Sequence, residues 1–162
     1  MTDGEHLYVF FGSRGLYCLD MKGESIWSKD LGRMHTLHAH GEGSWPVLHG
    51  DTLFFLRHNQ NILSRLEPAT GKPHGEALRL DGITDFIFAS PVGGAGLIYV
   101  TGHDGTTVVL RHDRENATLA VNHLDDSFSA SPALAGPEFY LRGERFLYCI
   151  AEPQPEGRKQ GH

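Results

Sequence analysis

Leu7-Tyr8-Val9, with Leu16-Tyr17-Cys18-Leu19-Asp20 close behind it, is the stretch on which the fold turns, because both runs return along the chain. The first returns as Leu53-Phe54-Phe55, Ile98-Tyr99-Val100 and Phe139-Tyr140-Leu141, at steps of 46, 45 and 41 residues. The second returns as Leu63-Ser64-Arg65-Leu66-Glu67, Thr107-Val108-Val109-Leu110-Arg111 and Leu147-Tyr148-Cys149-Ile150-Ala151, at steps of 47, 44 and 40. A third marker precedes three of the copies: Trp45-Pro46-Val47, Ser90-Pro91-Val92 and Ser131-Pro132-Ala133. Independent markers on one spacing define a repeat.

Each run is short, rich in aromatic and β-branched side chains, and bounded by turn residues. That is the signature of a strand, and no segment carries helix-length amphipathic periodicity. Gly12-Ser13-Arg14-Gly15, His103-Asp104-Gly105 and Gly143-Glu144 connect neighbouring strands and supply glycine where a tight hairpin needs positive φ. Met21-Lys22-Gly23-Glu24 and the segment 67–72 form the following turn in copies one and two, and the first of these leads to Trp27, whose indole is placed to pack between sheets. The repeated proline lacks an N–H, which assigns it to a strand start or an inner edge. A period of 40–47 residues holding about four short strands is a propeller blade. One such sheet cannot bury both faces alone; stacked radially on its neighbours, it does.

The ends are shorter. Copy one begins at the Asp3-Gly4 turn without the Ser-Pro strand, and copy four stops after Ile150 without the Trp strand. The expected strand counts are therefore 3, 4, 4 and 3, or 14 in all. Residues 1–151 form a single propeller domain in this reading, and 152–162 a polar, disordered tail. Four blades either close on themselves in one chain, the preferred arrangement, or form a half-ring that a homodimer completes to about eight.

Composition narrows the function. With 162 residues, 40% hydrophobic and 21% charged, the chain is an ordinary globular domain. A net charge of −6, from 14 Lys+Arg against 20 Asp+Glu, leaves no positive footprint for nucleic acid. No stretch approaches the ~20 apolar residues of a membrane span. Met1-Thr2-Asp3-Gly4-Glu5-His6 has neither the basic stretch nor the apolar core of a secretory signal. Two distant cysteines, Cys18 and Cys149, do not make a disulfide framework; they occupy equivalent repeat positions and are expected to pack as small buried groups between blades.

Ser90-Pro91-Val92, Leu7-Tyr8-Val9, Leu16-Tyr17-Cys18-Leu19-Asp20 and Lys22-Gly23-Glu24 with Trp27 together resemble the quinoprotein (PQQ-like) β-propeller repeat, over roughly residues 3–151. The resemblance implies a propeller of PQQ-like blades, and bacterial relatives that are often exported or periplasmic. Proteins of this type include quinone-dependent dehydrogenases and a bacterial lipoprotein that assists outer-membrane protein assembly. The chain has about half the usual length and lacks the adjacent cysteine pair of the dehydrogenases, so no PQQ is expected. A binding or scaffold module follows, with a protein or small-molecule ligand on its loop face; a fold by itself does not transmit an activity.

The alternative is a metal-dependent hydrolase of small esters or lactones. Eleven histidines are the compositional oddity. His35, His38, His40 and Glu42 form an H-x-x-H-x-H-x-E array in which His38 and His40 share a face in extended chain. Three imidazoles and a carboxylate could hold Zn²⁺ and acidify a bound water. The spacing matches no established zinc signature, and hydrogen-bonding lining of a loop between blades is the favoured reading of these residues. Asp81, Asp85, Asp104, Asp125 and Asp126 lie in loops whose oxygens could gather around Ca²⁺, with Asp104 the foremost, but Asp-Gly is also plain hairpin chemistry. Ser44, Ser90 and Ser131 stand at repeated strand starts outside any G-x-S-x-G context, which gives no support to a nucleophilic serine.

Overall fold

In a computed structural model, residues 1–32, 45–57, 60–113 and 117–152 are described. They form 14 strands in four antiparallel sheets. The first sheet joins β1 (His6–Phe10), β2 (Leu16–Asp20) and β3 (Ser25–Lys29). The second joins β4 (Val47–His49), β5 (Thr52–Arg57), β6 (Ile62–Leu66) and β7 (Leu78–Arg79). The third joins β8 (Val92–Gly94), β9 (Leu97–Thr101), β10 (Thr106–Arg111) and β11 (Thr118–His123). The fourth joins β12 (Ala133–Ala135), β13 (Glu138–Arg142) and β14 (Leu147–Ile150). The expected 3, 4, 4 and 3 strands are all present, and each sheet is built from one contiguous segment.

Register confirms the repeat. Tyr8 faces Cys18, Phe54 faces Arg65, Tyr99 faces Val109 and Tyr140 faces Cys149, the same pair in four sheets. Pro46, Pro91 and Pro132 each stand immediately before an inner strand, where a missing N–H breaks no ladder. The first sheet also has a stub of the strand expected to be missing. Thr2 bridges Leu7, and Met1 and Tyr8 exchange backbone hydrogen bonds of 2.9 and 3.1 Å.

Side chains alternate across each strand, so every sheet has a face toward the sheet before it and a face toward the sheet after it; we term these leading and trailing. Tyr8, Phe10, Leu16 and Cys18 on the trailing face of the first sheet are buried against Leu53, Phe55 and Leu66 on the leading face of the second. Phe54, Leu56 and Leu63 are buried against Ile98, Val100, Val108 and Leu110 in the same manner, with Leu80, Ile83 and Ile87 closing the cluster. The Trp27 indole seals the first junction, donating from Nε1 to the Pro68 carbonyl at 2.8 Å. Gly71, at φ +65°, lies under the ring, and a Cβ there would meet Trp27 Cε3 at 2.6 Å.

The Ser-Pro serines link successive sheets. The Trp45 N–H donates to Ser90 Oγ at 3.1 Å, and the Ser90 N–H donates to Ser131 Oγ at 2.9 Å. The four sheets form an open arc, not a ring closed within the chain. Leu147, on the trailing face of the fourth sheet, is 71% exposed, whereas its repeat equivalents Leu16 and Leu63 are 0% and 1% exposed. Cys149 is exposed as well, contrary to the expectation that it is buried like Cys18, because no sheet among the described residues covers that face. No helix among the described residues is long and apolar enough to cross a membrane.

Candidate binding cleft

The junction between the third and fourth sheets is built differently from the other two. Where the second sheet pairs Leu56 with Leu63 on its trailing face, the third pairs Thr101 with Thr107. The two hydroxyls hydrogen-bond to each other at 3.0 Å and are buried. This buried polar pair stands where the second sheet has two leucines. Tyr99 stacks on Phe139 with ring centroids 4.8 Å apart, and Leu134 lies over Gly94, where a side chain would collide with it.

Beside these contacts a cleft of about 650 Å³ remains open, a size suited to a small-molecule or side-chain ligand. Tyr99, Val109, Phe139, Leu141 and Ile150 form its apolar walls, and Thr107, Asn122 and His123 its polar margin. Leu134 and Ile150 remain 37% and 47% exposed beside it. Nothing in the repeat spacing marked this site. The Leu-to-Thr exchange at one repeat position was the available signal.

Of the foremost residues expected to hold a metal, only Asp104 lies among the described ones. His35, His38, His40 and Glu42 lie outside the described residues. The Asp104 carboxylate accepts hydrogen bonds from the Thr84 N–H and Oγ1, both at 2.8 Å, and from the Thr106 N–H at 3.0 Å. Burial pushes this carboxyl upward, but those donors outweigh it and hold the group below the ordinary carboxylate range. Asp104 therefore staples the β9–β10 hairpin to the loop leading into its own sheet, as turn chemistry predicts.

Asp126 makes the reciprocal link in the fourth sheet. Its side chain, only 1% exposed, accepts from the backbone N–H groups of Ser127, Arg145 and Phe146 and from the Tyr148 hydroxyl. Asp85 accepts from the Phe86 N–H and lies 3.2 Å from His103 Nδ1; Asp81 and Asp125 pair with Arg79 and Arg145 at the surface. Among the described residues, no three His, Cys, Asp or Glu side chains come together as a ligand set.

A second, polar concavity of about 490 Å³ is lined by Asp51, Arg65, His74, His112 and Asp113. The His49 and His112 rings approach to 5.0 Å, and His112 Nε2 lies 3.7 Å from Asp51 Oδ1. Burial, reinforced by the neighbouring His112, holds His49 below the ordinary imidazole pKa. The abundance of histidine was visible in the sequence, but this pairing of β4 with the end of β10 was not.

No family model matches the chain, and no curated protein matches it. Among solved structures, it is similar to the crystal structure of BamB from Moraxella catarrhalis, with a TM-score of 0.65 at 16% identity. The superposition covers 90% of this chain and 42% of the other. The fold is that of a β-propeller. Each sheet is a blade, and the chain spans under half the length of the BamB chain it matches. The identity is too low to carry more than architecture.

Proposed function

We propose that this chain is a PQQ-like propeller module that binds and scaffolds, without a functional quinone site, and that it takes an apolar segment or small ligand in the cleft between its third and fourth blades. The observation that supports the reading is the cleft itself. It combines aromatic and aliphatic walls from Tyr99, Phe139, Val109 and Ile150 with a few polar groups at the margin, which is the usual composition of a ligand site. The similarity to BamB supports the propeller architecture on which the reading rests. The carboxylates nearest the loops are engaged in stapling turns, which favours binding over metal-assisted hydrolysis.

The test enlarges a half-buried lining residue. Val109→Phe fills part of the cleft without touching the buried Thr101–Thr107 pair. In NMR titrations with short peptides of alternating aromatic and polar residues, the unaltered chain is expected to shift resonances of Val109, Leu141 and Ile150. The filled variant is expected to show at least tenfold weaker binding with its sheets intact. Shifts confined to other surfaces, or equal binding by both proteins, would overturn the reading.

A further inference from the structure

The two ends of the arc are halves of an interface that the chain already builds internally. On the trailing face of the fourth blade, Tyr140, Leu147 and Cys149 stand at the repeat positions of Tyr8, Leu16 and Cys18 on the first. The residue types are identical at all three positions. In the first blade this trio is fully buried beneath the leading face of the second, against Leu53, Phe55 and Leu66. In the fourth blade Leu147 is 71% exposed, Cys149 is exposed and Tyr140 is only half-buried.

The matching half lies at the other end of the chain. The leading face of the first blade presents Leu7, Val9 and Leu19 at the positions of Leu53, Phe55 and Leu66. Those second-blade residues are 0%, 0% and 1% exposed, whereas their first-blade equivalents are only half-buried. Ile26, 48% exposed, extends this uncovered face along β3. The trailing end of one molecule therefore carries the side chains that, in the first blade, already pack on the kind of face the leading end displays.

We propose that a second copy of this chain covers both faces, the fourth blade of each molecule packing on the first blade of the other to close a ring of eight blades. The interface is head-to-tail at each junction and closed by a twofold axis, so no face is left over. Area supports closure over a single contact. The three five-residue strands of the first blade project about 17 Å by 14 Å, roughly 240 Å², and the shorter strands of the fourth, averaging four residues, roughly 190 Å². One junction hides one face of each kind, about 430 Å²; two junctions hide about 860 Å² before corrugation is counted, close to the ~1,000 Å² of a specific interface. The proposal rests on the blade architecture and not on the cleft, so either can fail alone.

The experiment is sedimentation velocity on the full 162-residue chain across concentration. The expected result is a discrete species of twice the 17.9 kDa chain mass. Leu147→Asp is expected to weaken it at least tenfold, with an unchanged circular dichroism spectrum, because that side chain is already exposed in the single chain. Leu7→Asp, on the opposite face, is expected to do the same. Mixing the two variants re-creates one unspoiled junction per pair and is expected to recover dimer that neither forms alone. Thiol labelling gives an independent reading: Cys149 is expected to react in dilute protein and to become protected as the dimer forms. A monomer at all concentrations, an open-ended series of oligomers, or a dimer indifferent to Leu7→Asp would each overturn the proposal.

Discussion

Leu63 and Leu147 are the same residue at the same repeat position, and truncating each to alanine separates burial from sequence pattern. Leu63 is 1% exposed between the second and third blades. Removing its three side-chain carbons beyond Cβ forfeits about 2.4 kcal/mol of transfer energy at ~0.8 kcal/mol per methylene, and the residual cavity raises the total to about 3–5 kcal/mol. Leu147 is 71% exposed, so less than a third of that transfer term applies, about 0.7 kcal/mol, with no cavity. For a domain of this size each kcal/mol lowers Tm by about 2–4 °C. Leu63→Ala is thus expected to melt at least about 6 °C lower, and Leu147→Ala within about 3 °C of the unaltered protein. The assay is thermal and urea unfolding at a concentration at which sedimentation shows the single chain. Equal losses for the two variants would refute the assignment of the fourth blade's trailing face as uncovered. At high concentration the gap is expected to narrow if a partner copy buries Leu147.

Other perturbations probe the staples, the histidine pair and the metal question. Asp104→Asn is expected to destabilise the third blade by about 1–3 kcal/mol in urea unfolding at pH 7, as charged hydrogen bonds to Thr84 and Thr106 become neutral ones. Because the folded carboxyl titrates below its ordinary value of 3.8, its contribution is complete above that pH and fades as the pH falls through the folded value; the variant is expected to show a shallower acid limb. His49 is depressed below 6.5, so its neutral form is the stable one, and urea midpoints are expected to decline as the pH drops from 6.5 through the folded value; His49→Gln flattens that decline. Gly71→Ala is expected to lower stability by about 2–4 kcal/mol, since it combines a left-handed backbone with a collision against the Trp27 ring. Metal analysis of protein purified without an affinity tag is expected to find no stoichiometric zinc or calcium; bound metal together with chelator-sensitive esterase or lactonase activity would establish the hydrolase reading instead.

The blade count and strand phase were legible because the pattern of a repeat is local. Leu7-Tyr8-Val9 and its three echoes state which side chains share a face, and Pro46, Pro91 and Pro132 state where a strand begins. Trp27 between sheets was likewise readable, since a large ring after a tight turn has one place to go. What the pattern does not contain is the neighbour. Cys18 and Cys149 are indistinguishable by periodicity, yet one is sealed and the other open, because burial depends on a sheet outside the repeat in question. The cleft was hidden for a related reason. Thr101 and Thr107 suit a β-strand as well as leucine does, and only their pairing across β9 and β10 shows that this junction carries a polar pair where its predecessor carries two leucines. The serines of the Ser-Pro motif were read as strand starts; that their hydroxyls receive the N–H of the preceding blade becomes visible only in three dimensions.

The outer margin of β14 has a consequence for the life of the chain in a crowded solution. Leu147-Tyr148-Cys149-Ile150 pairs with β13 on one side, and among the described residues no strand occupies the other. A short, uncharged, apolar run with unpaired backbone groups is a template onto which a foreign strand adds, and from which fibrillar aggregation spreads. Arg142, Arg145 and Glu152 flank it as gatekeepers, placing charge at either end of the vulnerable segment. Those charges matter most when heat or overproduction crowds the chains, because this margin is where a foreign strand would first add.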